Sequence, residues 1–159
     1  MALVNLQPDN FYILPPRRPN PTFMKLFYRI PRTPHNIRVD LLLSTVPELE
    51  IPRFLIWKHF VYLNQLPVAP LHFVLYHKLL GWQERTNAQE PWKRKKARET
   101  DKDDIIGLCV IAYRNRLRPL SKSHMGGQFL DNFRRRADDF VQNHGRIART
   151  WFRRLHFHV

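Results

Sequence analysis

The longest apolar tract, Ile51 to Gly81 (IPRFLIWKHFVYLNQLPVAPLHFVLYHKLLG), limits what the rest of the chain can build, because proline stands at 52, 67 and 70 and glycine at 81. Proline suits a first helical position, where its missing N–H costs nothing, and glycine suits the position just past a helix end. The spacing predicts a helical hairpin, Pro52 to Leu66 and Pro70 to Leu80. Apolar residues fall all round both helices at about 100° per residue, so each needs cover on more than one side. That cover comes from the rest of the chain or from a partner. The large side chains expected to meet a partner are Phe54, Trp57, Phe60, Phe73 and Tyr76. A spanning helix needs about 20 mostly apolar residues, and Arg53, Lys58, His59 and the prolines break the tract, so no transmembrane helix is expected. A short buried strand remains an alternative for His72 to Tyr76, since period alone does not separate it from a helix.

Charge is the second constraint. The 27 Lys and Arg outnumber 13 Asp and Glu in 159 residues, a net charge of +14. Such a balance points to a polyanionic partner and says nothing about fold. Arginine dominates, and its planar guanidinium binds phosphate bidentately and stacks on flat rings, which suits RNA. Cys109 is the single cysteine, so there is no internal disulfide and no cysteine cluster for zinc. Its apolar neighbours Leu108 and Val110 predict a buried structural thiol.

The chain reads as five segments. Residues 1–50 are proline-rich, with the densest cluster at Pro15, Pro16, Pro19 and Pro21, predicting an extended, polyproline-like arm with little core. Arg17, Arg18, Arg29 and Arg32 make it basic, and interleaved Phe11, Tyr12, Phe23, Phe27 and Tyr28 allow stacking or anchoring. The same arm could simply lie across a neighbouring protein. Thr22 to Arg32 partly fits a mitochondrial targeting segment, but it lacks serine and its prolines interrupt a helix. Residues 51–81 are the hairpin. Residues 82–100 read as a polar linker holding Lys93, Arg94, Lys95 and Lys96, a phosphate-contacting loop, a nuclear import signal or a solvated stretch.

Residues 101–145 predict a helical pair. Thr100 is the expected N-cap of the first helix, about Asp101 to Arg116, with Ile105, Ile106, Leu108, Cys109, Ala112 and Tyr113 on its buried face. Arg114, Arg116 and Arg118 would line one side if the chain is extended before Pro119, making them a preferred phosphate site. The second helix, about Gln128 to His144, is closed by Gly145, with Phe129, Phe133, Ala137, Phe140 and Val141 as its stripe. Arg134, Arg135 and Arg136 stand against Asp131, Asp138 and Asp139, which predicts a salt-bridged solvent face. The tail, residues 146–159, is different. Arg146, Arg149, Arg153 and Arg154 gather on one side of a helix while Ile147, Ala148, Trp151, Phe152 and Leu155 fill the other, and no acid neutralises it. Trp151 and Phe152 would dock on protein or enter a membrane interface.

No glycine-rich phosphate loop, metal motif, nucleophile elbow or catalytic triad can be argued from the spacings. The expectation is a mainly α protein: a small body of four or five helices, a long proline-rich arm and a basic amphipathic C-terminal helix. The functional expectation is a non-catalytic structural subunit of a ribonucleoprotein, above all a mitochondrial ribosome, contacting RNA and protein subunits, with no cofactor, metal or small-molecule substrate. The alternative is an accessory subunit of a respiratory or ATP synthase complex, meeting partner subunits and anionic lipid. A nuclear nucleic-acid-binding factor is a third reading.

Overall fold

A computed structural model describes residues 2–16, 24–39, 50–51, 61–63, 66–117 and 126–155. The chain forms two compact units, Met1–Leu49 and Glu50–Val159.

In the first unit a short helix, α1 (Ala2–Leu6), precedes three strands, β1 (Phe11–Leu14), β2 (Lys25–Arg29) and β3 (Asn36–Val39). They pair antiparallel in the order β1-β2-β3. The expected polyproline-like arm is therefore a small sheet over its described residues. The physical reason is that the described prolines lie outside the strands: Pro15 and Pro16 follow β1, and Pro31 and Pro34 sit in the turn between β2 and β3. The strands themselves are rich in aromatic and branched residues that pack across a ladder. Register places Phe11 opposite Tyr28 and Tyr12 opposite Phe27, and the ring centroids of these pairs are 5.2 and 5.4 Å apart. Pro16 alone is buried among the unit's described residues.

The second unit begins with a correction to the helical hairpin. Val61–Leu63 (β4) and Leu66–Val68 (β5) pair as antiparallel strands, with Val61 opposite Val68. Pro67 thus occupies a strand where it was expected to end a helix, in keeping with its tolerance in a two-stranded ribbon with open edges. Residues 52–60, with Phe54, Trp57 and Phe60, lie outside the described residues.

The second helix of the expected hairpin exists and is longer. It is α2 (Leu71–Thr86), with Pro70 at its N-cap in an extended conformation. Gly81 does not end it. The apolar spacing continues through Leu75, Leu79 and Trp82, all buried, and burying a large apolar side chain is worth about 1.5–3 kcal/mol, which outweighs the roughly 1 kcal/mol cost of a helical glycine. The strand alternative for His72 to Tyr76 falls with it.

Residues 82–100 are not a linker. Trp82 is core, and α3 (Pro91–Lys96) starts with proline at its first turn. It runs through a π-helical segment, Ala97–Asp101, straight into α4 (Lys102–Arg114). Thr100 is an exposed residue inside this continuous helix and no N-cap. Residues four apart share one face along the continuous helix, and Ala97, Asp101, Ile105 and Cys109 all turn inward.

The last helix, α5 (Gly127–Arg154), is interrupted at Gly145 (φ 66, ψ −139). That backbone region suits glycine alone, and the break falls where the sequence predicts a helix end. The helices α2, α4 and α5 enclose the core: Tyr76 meets Phe129 at 4.1 Å, Trp82 meets Phe140 at 5.0 Å, and Phe140 meets Phe152 at 5.9 Å between ring centroids. Two apolar expectations fail at its rim, because Tyr113 and Ile147 are 49% and 67% exposed. The protein is mainly α. No helix among the described residues is long and apolar enough to cross a membrane.

Candidate functional site

Arginine does two distinct things in this molecule, and burial separates them. Arg136 is 3% exposed. Its guanidinium grips Glu50 bidentately, Nη1 to Oε2 at 2.9 Å and Nη2 to Oε1 at 2.6 Å. It also donates to the Tyr76 hydroxyl at 2.6 Å and, through Nε, to Gln83 Oε1 at 3.0 Å. Tyr76 and Asn132 each donate to Glu50 Oε2. The Arg136 hydrogen bond outweighs the opposing effect of burial and holds the Glu50 carboxyl at about 2, below its usual 4.5. Burial, joined by the bond to Glu50, pushes the Tyr76 phenol up to about 12. Glu50 sits at φ 47, a strained conformation that this network over-determines. The expected solvent role for Arg136 is thus wrong. Spacing four apart pairs only Arg134 and Arg135 with acids of their own helix, and the partner of Arg136 lies 86 residues away.

Phe73, Tyr76 and Phe152 were expected at a partner interface. They are core residues of this chain, and Trp151 is packed against the same core. Cys109 is buried, and desolvation pushes its thiol up to about 12, which keeps it protonated at neutral pH.

The cations singled out as phosphate contacts fall into three sets. In the first unit Arg29 is exposed, donates to the Asp9 carbonyl at 3.2 Å and lies 5.4 Å over the Tyr12 ring. Arg32 occupies the β2–β3 turn at φ 63, and Arg17 and Arg18 lie outside the described residues. On α3, Lys93 pairs with Glu90 at 2.6 Å, and Arg94 donates to the Ala88 and Gln89 carbonyls at 2.8 and 2.6 Å. Those two residues fasten the turn before α3, which leaves Lys95 and Lys96 as the exposed members of this basic cluster.

The third set gathers where α4 ends and the second half of α5 passes. Arg114 closes α4 and Arg116 adopts φ 51, so they do not form the extended row expected with Arg118, which lies outside the described residues. Arg146, Arg149, Arg153 and Arg154 are all exposed, and none has an acidic partner among the described residues. Ala148, Phe152 and Leu155 anchor this half-helix in the core, which fixes the direction in which its arginines point. Here the fold brings Tyr113 and Trp151 to a centroid distance of 6.0 Å in edge contact. The Arg154 guanidinium lies 5.6 Å over the first ring and 4.8 Å over the second. Sequence reasoning places Tyr113 in the core. Its helical position is compatible with that face, and only the packing of α5 against α4 exposes the ring beside arginine.

No group of three or more metal-ligating side chains occurs among the described residues. Compared with known proteins, the chain matches no family model, no curated protein and no solved structure.

Proposed function

We propose that this chain is a non-catalytic structural subunit of a large RNA-bound assembly, with a mitochondrial ribosome as the leading parent. The observation that carries the reading is the half-helix after Gly145, held in the chain's own core by Ala148, Phe152 and Leu155 while four arginines face outward with no acid beside them among the described residues. Unneutralised arginines on a rigid support bind phosphate backbones by counterion release and position a protein without reading bases. A lipid-bound accessory subunit is less well supported, because an interfacial helix must offer its apolar face to the membrane, and most of that face, Ala148, Phe152 and Leu155, is buried, with Ile147 exposed and Trp151 partly covered.

The test is to purify the native particle through a tag on this chain at moderate salt, digest it with ribonuclease and measure its size. Release of the chain from the large particle is expected. Retention in a ribonuclease-resistant particle that needs detergent would remove the ribonucleoprotein reading and put the membrane complex in its place.

A further inference from the structure

We infer that the Tyr113–Trp151–Arg154 cluster is a stacking site for an unpaired nucleobase, which makes single-stranded RNA the ligand of this surface. The inference rests on the RNA-bound reading above and narrows it from phosphate attraction to a defined contact.

Two stretches of helix meet at the cluster. Residues 105–117, the body of α4 and the turn that follows it, contain Arg114 and Arg116 and no acid; residues 140–155 contain Arg146, Arg149, Arg153 and Arg154 and no acid. Two acid-free segments therefore converge on one pair of aromatic rings. Basic residues alone would suit any polyanion. Aromatic rings held among them suit bases, because every base has a π-face and the cations can track the phosphates on either side.

The exposures fit that use. Tyr113 is 49% exposed although it adjoins a core with abundant aromatic partners. Trp151 is partly covered, which fixes its ring without hiding it. Arg154 is exposed and lies over both rings. A guanidinium so placed is a flat, oriented surface on which a base can stack, and lysine cannot reproduce it. A duplex offers no such face, because its bases are already stacked on one another. The predicted preference is thus for single strands.

The test uses the full chain and two probes, a short labelled oligouridylate and a blunt RNA duplex of the same length, read by fluorescence anisotropy across a salt series. Tyr113→Leu changes an exposed side chain and Arg154→Lys keeps the charge, so neither threatens the fold. Each is expected to weaken oligouridylate binding about tenfold, the scale of one base stack, with duplex binding and the salt slope unchanged, while Tyr113→Phe retains binding. Equal weakening on both probes, or none on the single strand, would overturn the stacking site while leaving RNA binding intact. Binding of neither probe by the parent chain at low salt would instead overturn the RNA reading itself. Loss of adsorption to phosphatidylserine vesicles with unchanged oligouridylate binding would assign the cluster to lipid and also overturn the inference.

Discussion

The halves of α5 on either side of Gly145 use the same residue type to opposite ends. Before the glycine, Arg136 is buried in a network with Glu50, Tyr76 and Gln83, and Arg134 pairs with Asp131 at 3.8 Å. After it, Arg146, Arg149, Arg153 and Arg154 are exposed without acidic partners among the described residues. One arginine closes the fold and the others leave the surface charged. The difference shows that an arginine run is not a binding site by composition: a buried guanidinium needs every donor directed, while an exposed one keeps its donors for a ligand.

The sharpest way to break this contrast is to remove the buried member. Arg136→Ala should cost about 1.5–3 kcal/mol, because it removes two charge-assisted hydrogen bonds from the partly exposed Glu50 carboxylate and leaves it only Tyr76 and Asn132, whereas Glu50→Leu with Arg136→Met should recover much of that stability. Urea melts followed by circular dichroism would measure both. The Cys109 thiol supplies a second readout, since it should react with a disulfide reagent only as the core opens. A cost under about 1 kcal/mol for Arg136→Ala would show that the network is not a lock.

Gly145→Ala comes next. Forcing a side chain into this glycine conformation (φ 66) should cost about 1–3 kcal/mol and change how the two halves join. Gly107→Ala is the control: nothing lies within 4 Å of the added carbon, it is helical, and the replacement should stabilise by about 0.4–1 kcal/mol. Equal effects at both glycines would mean that the break in α5 is not held by backbone preference.

Acid should act on the core side of the contrast, through His77 on α2, His144 at the end of the first half of α5, and Glu50. Desolvation lowers the folded-state values of His77 and His144 from the usual 6.5, with Lys102 adding to the effect at His144. The unfolded chain therefore binds protons that the folded chain refuses, and stability falls as pH drops through about 6.5. Glu50 adds a second decline as pH falls from 4.5 toward about 2, since its depressed value stabilises only while the carboxylate is charged. Melting temperatures across this range should fall in both windows, and Glu50→Gln should abolish the lower one.

The smallest effect on stability belongs to the tail. Arg149→Gln and Arg153→Gln should each change stability by less than about 0.5 kcal/mol, yet flatten the salt dependence of RNA binding by about 0.7 for every single-strand phosphate left unneutralised. A drop in stability with no change in salt slope would move these arginines to the structural side of the comparison.

Local signals in the sequence reach as far as one helix at a time. Phe129, Phe133, Ala137, Phe140 and Val141 announce the stripe of α5 correctly, and Gly145 marks its break, because helical period and glycine's backbone freedom are properties of neighbouring residues. The same signals fail where a distant segment decides the outcome. Gly81 reads locally as a helix end, yet its role depends on Trp82 finding a core. Thr100 reads as a helix start because the π turn at Ala97–Asp101 has no capping signature. The prolines of the first unit suggest polyproline backbone because strand pairing between Phe11 and Tyr28 is invisible without register.

What the sequence by itself determined is the charge of the chain, the helical character of its C-terminal part and the acid-free basic face of residues 146–155, all of which follow from composition and period. Tertiary structure alone decided which arginine is buried and which aromatic ring is exposed. Arg136 and Tyr113 each occupy a plausible helical position for either fate. Their burial depends on elements that lie far away in the chain, Glu50 for the one and Trp151 for the other, and no local period carries that information.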